Sequence, residues 1–421
     1  MRLNPLRKQL NQALLIALSL CLSPSAWSEV EHRFSGFATL GVVASDNEDI
    51  GFRRDLTQDE GARNNDLYWA TDSLIGVQWH TRFSHKFDTT VQVVARDRFK
   101  NDFEKSLEWA FIRYRPVDGL DIRLGRLGSD IFMLSEYRQV GYAFQWVRPP
   151  LEFYSWLALY HFDGIDINKR FDLSNGTLNI KAYYGNTRAD FPTNYNEEGV
   201  DIDFNPAGVS FKLEWGNWRG RYTYSSVSIN NNILEPLTDG LYQVQSVWAD
   251  AKAYADSINS EGKTMEYHEV GLGYDNNVWW AQTEYTELTS DSGSFVNSSY
   301  FYFTLGRRFG PVSLYAIAGS VKPEEDYRNV TGPEGLPPLY AQQIQPLVEG
   351  TQETLNGSYL DQQCRGLGVR WDFASRKALK FQVENYEMDK NGTNLWVNYE
   401  NKDFTEDQSS TVISLTMDVL F

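Results

Sequence analysis

Along most of this chain, apolar and polar residues alternate one by one. In residues 410–421, STVISLTMDVLF, Ile413, Leu415, Met417, Val419 and Phe421 fall on one side and Ser414, Thr416 and Asp418 on the other. A period of two marks a β-strand with one apolar and one polar face. Fifteen earlier stretches repeat the pattern: 33–43, 73–83, 86–98, 107–115, 120–126, 163–171, 177–185, 207–216, 219–229, 264–275, 278–288, 299–309, 312–321, 359–373 and 378–389. Short turns built on Gly, Pro and Asn (NW, NN, GP, ASRK) alternate with long connections at 44–72, 128–162, 186–206, 230–263, 322–358 and 390–409. Sixteen strands of about nine to eleven residues, with short turns on one rim and long loops on the other, predict an all-β fold: an antiparallel transmembrane β-barrel with periplasmic turns and long extracellular loops. A soluble propeller would show a blade-length repeat, and none is present. The apolar faces instead carry aromatics near strand ends, among them Trp79, Phe83, Phe301, Phe303, Phe309, Trp371 and Phe373, as an interfacial girdle requires.

Composition fits once the period is known. Mean hydropathy is −0.47 and no run of eighteen apolar residues follows the leader, which excludes membrane-spanning helices but not strands that alternate lipid-facing and lumen-facing residues. Aromatics make up 14% of the chain and there are 31 glycines. Residues 1–28 have the layout of a secretory signal peptide: basic Arg2, Arg7 and Lys8, the apolar run ALLIALSLCL, and small residues at Ala26 and Ser28 before Glu29. Residues 29–421 then form the single barrel domain. Loss of three positive charges takes the net charge from −17 to −20, and Cys364 is left without a disulfide partner. So acidic a chain is a poor nucleic-acid binder.

After the fifth strand comes a long segment, residues 128–162. The run RLGRLGSDIFMLSEYRQVGYAFQWVRPPLEFY, followed by FDGIDI, resembles the Gram-negative outer-membrane porins, in the region of residues 107–170 most of all. The resemblance implies a 16-stranded channel, a third loop folded into the barrel as a constriction, a homotrimer, and Phe421 as the signal read by the outer-membrane assembly machinery. It also implies location in the outer membrane, with lipid and lipopolysaccharide around the wall and small hydrophilic solutes passing through.

Parity assigns the lumen face. Where Ile75, Val77 and Trp79 point out, Gln78, His80 and Arg82 point in, and the same rule turns Arg96, Arg98, Arg113, Arg123 and Arg170 inward. This basic wall, Arg82, Arg96, Arg98, Arg113, Arg123 and Arg170, wants anions or water, unless Asp88, Asp121 and Asp166 pair with it locally. Asp130, Glu136 and Glu152 of the third loop would supply an acidic face opposite, giving a transverse field. Arg138 and Arg148 would pin the loop. Tyr137, Tyr142, Phe144 and Trp146 could instead form a stacking track for a sugar, making the channel solute-selective.

The five histidines show no metal-ligand spacing and no nucleophile elbow is present, so no catalytic residue, metal or cofactor is expected. Residues 46–61, DNEDIGFRRDLTQDEG, read as a solvated loop, or as one that bridges divalent cations to lipopolysaccharide or latches a neighbouring subunit. Leu241, Val244, Trp248, Ala251, Ala255 and Ile258 recur at helical spacing and predict one amphipathic helix over 239–258 in an extracellular loop. The sequence thus describes a passive diffusion channel. A selective anion or sugar channel, and a structural or adhesive barrel binding a partner through its loops, are the alternatives.

Overall fold

The computed structural model describes residues 30–157, 159–192, 199–400 and 402–421; the signal-peptide reading of residues 1–28 lies outside them. Sixteen antiparallel strands form a closed barrel. In chain order they are β1 Glu31–Ser45, β2 Leu74–Arg82, β3 Phe87–Arg96, β4 Leu107–Tyr114, β5 Leu120–Gly128, β6 His161–Leu173, β7 Gly176–Phe191 and β8 Val200–Trp215, then β9 Trp218–Ile229, β10 Thr264–Asp275, β11 Trp279–Ser290, β12 Ser298–Phe309, β13 Val312–Pro323, β14 Leu360–Ala374, β15 Lys377–Thr393 and β16 Gln408–Leu420. Each pairs with its chain neighbours, and β16 pairs with β1 in register Leu40–Met417. Gly36 and Phe421 exchange both backbone hydrogen bonds, at 2.8 and 2.9 Å. Closure leaves no strand edge unpaired.

The wall is turned inside out relative to a soluble protein. Val77, Val270, Phe303, Leu305, Ile413 and Leu415 are exposed on the outer surface, while their alternates face the lumen. A continuous apolar belt of this kind is what bilayer hydrocarbon covers. Among the described residues no helix is long and apolar enough to cross a membrane.

Several inward aromatics lie flat over a glycine that is their direct cross-strand partner: Phe37 over Gly76, Trp280 over Gly306 and Tyr315 over Gly368. A Cβ on Gly368 would stand 2.2 Å from Tyr315 Cζ. The missing side chain is the space the ring occupies, so these glycines are packing residues.

The strands match the sixteen predicted segments, and some run further. β7 and β8 extend past the apolar belt with polar outward residues, Asn186, Arg188, Asp203 and Asn205, so 186–191 and 200–206 of the predicted 186–206 connection are strand. The helix expected over 239–258 is two, α3 Glu235–Val244 and α4 Ala251–Ile258, broken at 245–250 (α1, Phe103–Ser106, and α2, Leu151–Tyr154, are single turns). Folding back lets Leu241 and Trp248 share one core with Ala251, Ala255 and Ile258, and with Ile344 and Leu355 of a further helix, α5 Pro338–Asn356. The sequence reading missed α5 because Pro346 lies inside it. The first long loop is not a solvated one either. It turns inward, burying Ile50, Phe52, Asp55, Gln58 and Ala62, with Phe52 edge-on to Trp396, and Ile50–Gly51 pairs with Val397–Asn398 of the last loop.

Gly368→Val should displace the Tyr315 ring and its 2.6 Å hydrogen bond to Gln382, costing about 1–3 kcal/mol. The expected readout is conversion of the compact gel band to the unfolded one at lower temperature than for the parent barrel.

Candidate functional site

The third loop, residues 129–160, fills one side of the lumen. A chain segment buried there cannot leave its backbone polar groups unpaired. The wall supplies the partners. Lys380 Nζ donates to the carbonyls of Gly141 (2.7 Å) and Trp146 (2.6 Å), and Arg370 Nη1 to those of Tyr142 (2.9 Å) and Phe144 (2.7 Å). Gln382 accepts from Val147 N at 3.1 Å, and Glu284 from Met133 N at 2.7 Å. Lys380 is itself held by Asp418 at 2.9 Å, and Thr39 donates to Asp418 at 2.6 Å. Gly141 is obligatory at this contact, because a Cβ would lie 2.1 Å from Asp418 Oδ1.

Side chains complete the attachment. Arg148 donates to Asp72 (2.6 Å), to Glu384 (2.7 Å) and to the Ser414 hydroxyl, all buried. Trp146 donates to Thr304 at 3.1 Å and meets Trp280 and Tyr302 edge-on. Trp156 stacks on Tyr300 at 4.7 Å between ring centroids. Inward residues of β9 to β16 are therefore mostly buried beneath the loop, among them Thr223, Glu269, Thr286, Tyr302, Gln382 and Thr416. Water contact survives on the other side of the lumen, along β2 to β8, at Gln78, His80, Arg113, Arg123, Asn168 and Lys212.

The loop's acidic end faces that open side. Asp130 receives Arg221 (3.0 Å), Lys212 (2.8 Å), Lys181 (3.0 Å) and the Ser210 hydroxyl (2.9 Å), and Lys181 also reaches Glu136 at 2.8 Å. Burial alone would raise the pKa of Asp130. The three surrounding cations outweigh it and hold the carboxyl well below the usual carboxylate range.

The predicted basic wall is only partly assembled here. Arg113 and Arg123 face the lumen, each on its direct cross-strand carboxylate, Asp88 (3.0 Å) and Asp166 (2.9 Å). Arg96 and Arg98 lie at the long-loop end, paired with Asp55 (2.9 Å) and with Glu108 (2.7 Å). A bulge between β3 and β4 sets Glu108 beside Arg98. Arg82 and Arg170 do not join the set. They are exposed at the short-turn rim beside Glu31 and Asp172. Of the two readings of these arginines, local pairing describes Arg113 and Arg123, with the Asp88 and Asp166 it named, while Asp121 pairs with Arg115 outside the set.

Glu152 also departs from expectation. It is buried in α2 against the wall, accepting from Gln362 at 2.7 Å, and offers no charge to the lumen. Phe144 and Trp146 are buried in the aromatic contact with the wall and present no face to a sugar. Tyr142 sits under Arg370, and Tyr137 is half-buried near Glu136. Arg138 fastens the loop to itself, donating to the Leu159 carbonyl at 2.8 Å and stacking on Tyr160 at 3.6 Å. The cations that actually meet the acidic loop, Lys181, Lys212 and Arg221, were missed. The same parity rule would have found them, since Ile180, Ala182, Phe211, Leu213 and Tyr222 point outward. Among the described residues no His, Cys, Asp and Glu cluster is placed to hold a metal ion.

Arg148→Met leaves Asp72 and Glu384 buried without their cation. It should cost about 3–5 kcal/mol by denaturant titration and should make the single-channel current noisier as the loop loosens.

No protein-family model matches the chain, and no curated protein is significantly similar to it in sequence. Solved structures do match over nearly its whole length. The outer membrane channel DcaP of Acinetobacter baumannii aligns with 94% of this chain and 98% of its own, at TM-score 0.51 and 10% identity. OmpT, an outer membrane protein of Vibrio cholerae, aligns in its trimer form with 94% and 100%, at TM-score 0.50 and 11% identity. The chain thus shares the closed-barrel fold of these outer-membrane proteins.

Proposed function

We propose that this protein is an outer-membrane channel for passive diffusion of small hydrophilic solutes and ions, with a preference for anions at its narrowest part. One observation carries the preference. In three of the cation–carboxylate pairs along the open side, the cation is the member that meets water. The side chains of Arg113, Arg123 and Lys212 are 28, 18 and 30% exposed, whereas Asp88, Asp166 and Asp130 are at most 2%. A passing ion is closer to the guanidinium or ammonium than to the charge behind it, so the wall acts on it as a positive surface. Glu136, half exposed, is the opposing anion. The chain's overall negative charge does not decide the matter, because only groups near the constriction set the field there.

The short-turn rim is read as periplasmic and the long loops as extracellular, in contact with lipopolysaccharide. Assembly as a homotrimer, inserted by the outer-membrane assembly machinery, belongs to the same reading. It is supported by the trimer form of the Vibrio cholerae protein. No catalytic step, cofactor or metal enters it.

Reversal potential across a planar bilayer under a KCl gradient tests the reading. The parent should pass current without saturation and favour chloride. Lys212→Glu, at a partly water-facing position, should reduce the anion preference by about twofold or more and leave conductance of the same order. Cation preference in the parent would put Glu136 in control instead. Absence of any current from folded barrel would leave a closed structural barrel whose helices α3 to α5 become the candidate contact surface.

A further inference from the structure

A second concentration of positive charge lies above the constriction, at the long-loop rim. A cavity of about 50 Å³ opens between the end of β3, the 97–106 loop, the start of β6 and the upper part of β7. Its lining carries five cations: Arg96, Arg98, Lys100, Lys105 and Arg188. Only two carboxylates, Glu108 and Asp190, share that lining. Further carboxylates stand behind it: Asp55 on Arg96, Asp201 on Lys100 at 2.9 Å and Asp203 on Arg188 at 2.6 Å.

Asp190 also receives Lys100 at 3.2 Å and Lys105, so each cation has a carboxylate, but the cavity is short of acceptors. Arg96 is 3% exposed. Its Nη1 donates to Asp55, but among the described residues its Nε and Nη2 have no hydrogen-bond partner. The His161 Nδ1, also on the lining, has none, and stands 3.6 Å from Glu108 Oε2. A buried, unpaired guanidinium N–H is costly and rarely left so. Burial pushes the pKa of Lys105 down despite Asp102, Asp201 and Glu104 nearby. Burial and then the charge of Arg96 do the same to Arg98. Each would be relieved by an incoming anion.

We propose that this cavity binds a small tetrahedral oxyanion, of the phosphate or sulfate class, between Arg96, Arg98, Lys100 and Lys105. The volume suits it: at about 10–15 Å³ per water on the same measure, the space takes about four waters or one such anion. Charge-assisted N–H···O bonds favour a multivalent oxyanion over chloride, which has one centre and no second oxygen to share among several donors. The Arg96 site lies on the long-loop side of Arg113 and Arg123, so an anion entering from that side meets it first.

Isothermal titration of inorganic phosphate into purified barrel in detergent tests the site without requiring an open channel, so it fails independently of the conductance reading. The parent should bind one phosphate per chain saturably, with sulfate competing and chloride at equal ionic strength not. Lys100→Gln with Lys105→Gln, both only partly buried, should weaken binding about tenfold or more while the heat-modifiable fold is kept. Lys402→Gln, an exposed rim cation paired to Asp49, should leave it unchanged. A heat that never saturates, that chloride abolishes equally, or that the Lys402 variant loses as much as the double variant would overturn the site.

Discussion

The structure depends on one constraint: a loop folded inside a barrel must find a hydrogen-bond partner for every backbone group it buries. Strands solve this through their neighbours, and closure extends the solution to β1 and β16. The third loop has no such ladder. Its carbonyls at Gly141, Tyr142, Phe144 and Trp146 are met by only two wall cations, Lys380 and Arg370. This explains why a fully buried lysine occurs on the wall that faces the loop. Lys380 and Asp418, both with no exposed side-chain surface, form a fixture whose free donors are spent on backbone. Removing either member would strand the other's charge, which is why such fixtures act as units.

That attachment also places the passage. Because the aromatic surface of the loop, Phe132, Trp146, Phe153, Tyr154 and Trp156, packs against Tyr267, Trp280, Tyr300, Tyr302 and Tyr315, the loop is drawn to β10–β13. Water is left on the opposite side. The charges there obey a different rule. On β3 to β6 the carboxylate sits directly across the ladder from its arginine, as Asp88 does from Arg113 and Asp166 from Arg123. A short carboxylate stays at the wall, and a long guanidinium reaches past it toward water. In these two pairs, side-chain length decides which member is exposed.

Much of this was legible in the sequence. Period two located all sixteen strands, and parity separated inward from outward residues, because one face meets lipid along the whole belt. Above the belt the outward face is polar too, as at Arg188 and Asp203, and the alternation that marks a strand disappears although the ladder continues. Pairing was harder to read than facing. Parity turned Arg96 and Arg82 inward alike. It could not say that one would meet Asp55 from a distant loop and the other would end at a rim beside Glu31. Nor does local pattern say which side of a loop is buried. Glu152 and Glu136 are both acidic residues of one segment, yet α2 turns the first into the wall and the chain leaves the second half exposed. Distances of this kind are set by the loop's path, a long-range property with no period.

The glycines join these levels. Trp280 and Tyr315 are at once part of the surface that receives the third loop and the rings that lie over Gly306 and Gly368. A ring flattened onto the neighbouring strand takes up little of the lumen's radius and shows its face or edge to what packs next. A β-branched residue in place of either glycine would lift the ring inward and shorten the gap in which the loop lies. The same glycines that let the wall pack tightly therefore also fix how far the loop stands from it, and with that the width left on the charged side.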